Sequence, residues 1–97
     1  MNSLVLVGRI LEMNESLTEK NRVDFTLSIN RNYKNEEGIY ETDFIKCKCF
    51  DSIANNFKEW LKKGDLVGIK GTLQSENGVM IVLVERLTFL STRKEDE

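Results

Sequence analysis

The sequence has no histidine, no proline and only two cysteines in 97 residues. Without histidine, and with no glycine-rich phosphate loop or metal-ligand cluster, the usual catalytic constellations are missing. Paired carboxylates could serve as acid and base, but the acids fall mostly in loops with no evident shared pocket. The chain therefore does not read as an enzyme, and no cofactor or metal is called for. The two cysteines stand next-but-one in Cys47-Lys48-Cys49, a poor spacing for a disulfide. Two thiolates alone cannot complete a zinc site within one chain. They read as reduced core thiols, compatible with a cytosolic setting. No stretch reaches membrane-spanning length. The apolar run Leu4-Val5-Leu6-Val7 stops at Gly8-Arg9, with no basic region before it and no cleavage site after it. The expectation is a soluble cytoplasmic protein with no membrane association. No repeat or low-complexity segment divides the chain, which predicts one domain over residues 1–91 and a short, charged, frayed tail at residues 92–97.

What is present is 40% apolar and 31% charged, a globular composition. The formal net charge is −2. That argues against a generic polyanion binder without excluding one, because the local field matters more than the total. Acids cluster at Glu36-Glu37, Glu41-Thr42-Asp43 and Glu95-Asp96-Glu97, and several basic residues fall on strands or strand ends.

Period-two alternation predicts strands at Leu4–Leu11, Val23–Arg31, Tyr40–Phe50, Leu66–Leu73 and Val79–Phe89. In the second, Val23, Phe25, Leu27 and Ile29 face one way and Asp24, Thr26, Ser28 and Asn30 the other. Glu12–Arg22 and Asn32–Gly38 read as polar loops. After Phe50 the period changes: Asp51 is placed as N-cap of a helix over Ser52–Lys63, with Gly64 as its left-handed cap. Ile53, Ala54, Phe57, Trp60 and Leu61 form its apolar stripe, so Trp60 is expected to pack on the strands. Gly68 and Gly71 suit the bends of a small closed barrel, and Asn77-Gly78 is a tight hairpin signal. Five strands with a helix between the third and fourth is the layout of an all-β OB-fold barrel.

The third strand carries the functional signal. One face presents Tyr40, Thr42, Phe44, Lys46, Lys48 and Phe50; the other presents Glu41, Asp43, Ile45, Cys47 and Cys49. The second turns apolar and reads as the core side. Rings alternating with ammonium groups suit single-stranded nucleic acid, because rings stack on bases of any identity and lysines neutralise phosphates. Tyr33, an aromatic in a polar loop, joins them. Arg9, Arg31, Lys34 and Lys70 are candidate phosphate contacts. Phe25 and Phe89 read as core or interface. Val79–Val84 is apolar on both faces, more than one barrel needs.

The pieces Leu4-Val5-Leu6-Val7-Gly8-Arg9, Phe25-Thr26-Leu27-Ser28-Ile29-Asn30-Arg31, Asp43-Phe44-Ile45, Trp60-Leu61-Lys62-Lys63-Gly64-Asp65-Leu66-Val67 and Gly71-Thr72-Leu73 resemble, in order and spacing, the bacterial single-stranded DNA-binding proteins. The resemblance covers residues 2 to about 91. It implies stacking of bases on Tyr33, Phe44 and Phe50, a basic contact at Lys46, and a symmetric homo-oligomer, a dimer or a tetramer. It also implies protection of exposed strands in replication, recombination or repair, with replication or recombination proteins as further partners. Three features depart from the family. The fourth hairpin, Gln74-Ser75-Glu76-Asn77-Gly78, is short and lacks basic and aromatic residues. The long tail with an acidic, aromatic-ended tip is missing. Carboxylates dilute the charge of the strand faces. The short fourth hairpin and the negative net charge favour another reading, an OB-fold interaction module of a primosome-like or mobile-element replication complex; binding of RNA is a third.

Overall fold

The computed structural model describes residues 1–92, so all but the first residue of the tail expected at residues 92–97 lies outside the described residues. Five strands and one helix follow in the expected order: β1 (Leu4–Glu15), β2 (Arg22–Lys34), β3 (Tyr40–Phe50), α1 (Asp51–Trp60), β4 (Leu66–Glu76) and β5 (Val79–Ser91). They close into a barrel in the order β1-β2-β3-β5-β4. All neighbours are antiparallel except β3 and β5, which meet in parallel at Cys47↔Val82 and Lys48↔Leu83. This is the OB-fold arrangement that the element order predicts.

Alternation fills the barrel. Val23, Phe25 and Leu27 of β2 face inward, with Cys47 and Cys49 of β3, Ile10 of β1, Val67 and Ile69 of β4, and Val82 and Val84 of β5. The thiols are buried and unpaired, and burial pushes both up to about 12. A thiol so protonated is a poor nucleophile. The folded protein should therefore resist alkylation at pH 8 and take up two equivalents of reagent only when unfolded; rapid native labelling would show the thiols to be reachable.

Most strands run further than expected. β1 continues to Glu15 across a register shift between Ile10 and Glu12. β2 extends through Tyr33 to Lys34, so that ring lies on a strand rather than in a loop. β4 continues through Gln74–Glu76, and the turn shrinks to Asn77-Gly78, both at positive φ (52° and 81°). That pair suits a two-residue primed turn. Gly71 has a steric cause: a Cβ there would lie 2.1 Å from the Leu83 carbonyl oxygen.

The helix departs most from the alternation argument. It spans Asp51–Trp60, and Phe50, not Asp51, occupies the cap position, with no side-chain cap bond. Asp51 itself has φ 54°. At the far end Leu61 is already extended, and its N–H donates to the Phe57 carbonyl at 3.0 Å. The Asp65 carboxylate accepts the Lys62 N–H at 3.0 Å, and Gly64 at φ 91° turns the chain. The Gly64 N–H donates to the Ile10 carbonyl at 2.8 Å, and the Ile10 N–H to the Asp65 carbonyl at 3.0 Å, which stitches this turn to β1. Ala54, Phe57 and Leu61 are the buried line, with Phe57 against Phe25 at 4.6 Å between ring centres. Trp60 sits at the margin of that line, where the helix ends, and is 72% exposed. The expectation that it packs on the barrel is therefore incorrect.

Candidate nucleic-acid interface

Cross-strand pairing puts opposite residues on the same face of a sheet. Taken row by row, β2 and β3 build one outward surface: Lys34 beside Tyr40, Asn30 beside Thr42, Ser28 beside Phe44, Thr26 beside Lys46, Asp24 beside Lys48, and Arg22 beside Phe50. β1 widens it, with Arg9 opposite Ser28, Glu12 opposite Thr26 and Asn14 opposite Asp24. Residues of all three strands, with Ile81, line a cavity of about 430 Å³ in its middle.

The rings differ in availability. Phe44 is 62% exposed at the centre of the surface, and Tyr40 and Tyr33 are also exposed. The Lys34 ammonium stands 5.6 Å from the centre of the Tyr40 ring. Between Asn30 and Lys34 the β2–β3 register shifts by two residues, and Tyr33 lies in that irregular stretch. Phe50 is only half-exposed, and the Arg22 guanidinium covers it at 5.7 Å.

The cations differ more. Lys46 is exposed and has no ion pair among the described residues. Lys48 is buried, and its Nζ donates to Glu76 Oε1 at 2.8 Å. Glu76 also receives Arg22 Nη2 at 2.8 Å, while Arg22 reaches Glu19 at 2.7 Å and Asp24 at 2.9 Å. The paired Arg22 is raised above its ordinary range, chiefly by the Glu76 hydrogen bond. Glu76, gripped by Arg22 and then Lys48, is lowered to about 2. Arg31 and Asp43 form a second pair at 2.9 Å, with Arg31 raised and Asp43 lowered by their mutual hydrogen bond. Asp43 faces away from Phe44 by alternation, so this pair stands behind the aromatic surface. Arg9 donates to the Gly64 carbonyl at 2.9 Å. Lys70 lies on β4 beside Val5 and Arg86, away from the β2–β3 rows.

Sequence alternation thus selects Tyr40, Phe44, Lys46, Lys48 and Phe50 for one face, and they share one. It does not single out Arg22 or Glu76. Arg22 was legible as the next member of the series Asp24, Thr26, Ser28 and Asn30. Glu76 was not, because its role depends on β4 carrying three residues further than its pattern shows. The surface offers rings for stacking, ammonium groups for anions and hydroxyl or amide groups for polar edges.

A family model described as the single-strand binding protein family matches residues 1–79. The chain is 39% identical over 80 residues to single-stranded DNA-binding protein 1 of Streptococcus pyogenes, covering 79% of this chain and 62% of that protein. It is 42% identical over 80 residues to single-stranded DNA-binding protein 1 of Staphylococcus aureus, covering 79% of this chain and 48% of that one. The chain thus spans about half to three fifths of the length of these relatives. Among solved structures, a small single-stranded DNA-binding protein from Mycoplasma pneumoniae superposes with a TM-score of 0.75 at 19% identity, covering 98% of each chain, a likeness of fold. The chain belongs to the single-strand binding protein family.

Proposed function

We propose that this protein binds single-stranded DNA with little regard to sequence, by stacking bases on Tyr33, Phe44 and Phe50 and holding phosphates near Lys46, Lys34 and Arg9. The observation that carries this reading is the exposed Phe44 ring at the centre of a three-strand surface, beside the exposed Lys46, which has no ion pair among the described residues. A folded protein gains nothing for its core from a phenyl ring in water, whereas an unstacked base gains about 1–3 kcal/mol from meeting one. Family membership and the relatives' names point to the same ligand. The role is protective binding rather than catalysis, in the cytoplasm, on strands exposed during replication, recombination or repair. No helix among the described residues is long and apolar enough to cross a membrane.

The protein acts as a homo-oligomer, a dimer or a tetramer. Val5 and Val7 are 70% and 51% exposed on β1, and Leu90 of β5, at 47%, approaches the same patch across Gly68. Apolar side chains gathered in this way mark a contact surface.

Titration with oligo(dT) of increasing length at two salt concentrations tests the function. Binding should weaken with salt by a log–log slope of roughly −0.7 per neutralised phosphate, about −2 for the three unburied cations named above. Competition by poly(dT) should exceed that by poly(U). Absence of binding, alongside a stable complex with a replication protein, would select the interaction-module reading instead.

A further inference from the structure

We propose that Arg22 and Lys48 form a latent phosphate site at the Phe50 end of the binding surface, and that the Glu76 carboxylate occupies it until a strand arrives. The inference rests on the single-stranded DNA reading and deepens it.

Both cations stand on the same face as Phe44 and Lys46, in the rows Arg22–Phe50 and Asp24–Lys48. Their side chains are each 10% exposed, yet the group that satisfies both is delivered from another strand, at the tip of the β4–β5 hairpin. Arg22 grips both Glu76 oxygens, Nη2 donating to Oε2 at 2.8 Å and Nη1 to Oε1 at 3.3 Å, and Lys48 Nζ donates to the same Oε1 at 2.8 Å. A guanidinium fork and an ammonium group recognise phosphate by the same charge-assisted geometry as carboxylate. Glu76 is thus an internal stand-in for a phosphate. Arg22 completes the substitution, because its guanidinium lies over the Phe50 ring where a base would stack.

The occupant can leave. Glu76 is the last residue of β4, followed by the two-residue turn Asn77-Gly78, and its carboxylate is 30% exposed. Arg22 keeps Glu19 and Asp24 when Glu76 departs, so its charge stays partnered. Displacement has an electrostatic signature. A freed carboxylate takes up a cation from solution, which offsets the counterions that the phosphate releases. The native protein should therefore show a shallower salt dependence than its binding-face cations imply.

The test is Glu76→Gln, which preserves size and removes the charge, compared with the native protein in oligo(dT) titrations across salt. The latch predicts binding about three- to ten-fold tighter at low salt and a log–log slope steeper by up to about 1.4, two phosphates at 0.7 each. Unchanged or weaker binding with an unchanged slope would overturn it and leave Glu76 as a structural ion pair. Should the variant unfold, the guanidinium resonances of Arg22 in the native protein decide. They should move on saturation with oligo(dT) as carboxylate gives way to phosphate, and resonances that stay put overturn the proposal. Loss of native binding on Phe44→Ala is the separate control: if native protein does not bind oligo(dT) at all, the underlying reading fails rather than the latch.

Discussion

Replacing Phe44 by alanine should weaken binding to oligo(dT) about ten-fold or more and leave thermal stability unchanged. The two halves of this expectation come from one fact. The ring is 62% exposed and lies outside the core cluster, so the folded state loses little packing without it. A stacked base loses its platform. Base–aromatic stacking contributes about 1–3 kcal/mol, and each 1.4 kcal/mol is a factor of ten in affinity. Tyr33→Ala should behave in the same way, since that ring is 59% exposed. Phe50→Ala should differ, because its ring carries Arg22 and its loss disturbs the ion-pair network as well as the stack. Fluorescence titration with parallel melting curves reads both quantities. A variant lacking all three rings that still binds tightly would remove stacking from the account.

The second large effect is on the fold. Phe57→Ala should destabilise the protein by about 3–5 kcal/mol, the usual range for truncating a buried phenyl ring. Phe57 is fully buried, and it joins α1 to Phe25 of β2. Against a typical total of about 5–15 kcal/mol, this approaches unfolding, with a melting temperature lower by roughly 15 °C or more. Trp60→Ala, three residues along the same helix, should cost within about 0.5 kcal/mol, as exposed substitutions do. Equal losses at the two positions, measured by denaturant unfolding, would show that Trp60 carries packing which its exposure denies.

That contrast shows how far the sequence reaches. The β3 alternation was legible because one face ends in two thiols and the other interleaves rings with lysines, and the fold places Cys47 and Cys49 inside and Phe44 outside. The OB-fold layout followed from five strand patterns broken once by a helical period. Trp60 was misjudged because helical spacing ranks Phe57, Trp60 and Leu61 alike, whereas the buried line is chosen by where the helix stops. The stop depends on Asp65 capping Lys62 within the turn and on that turn being tied to Ile10, a contact between segments distant in the chain. Lys48 had the phase of a solvent-facing lysine. Its partner, Glu76, is 28 residues away, and no local pattern links the two. Alternation within a strand is written in the sequence. Which charges meet across strands is settled only when the barrel closes.

The central claim is that the outward surface of β2 and β3, centred on Phe44, receives the strand. Amide chemical-shift mapping during titration with oligo(dT) tests it most directly. The account predicts the largest shifts at Thr26, Ser28, Phe44 and Lys46, with Val5, Lys70 and Arg86 unmoved. Shifts confined to the Val5–Lys70–Arg86 side, with Phe44 and Lys46 silent, would contradict it.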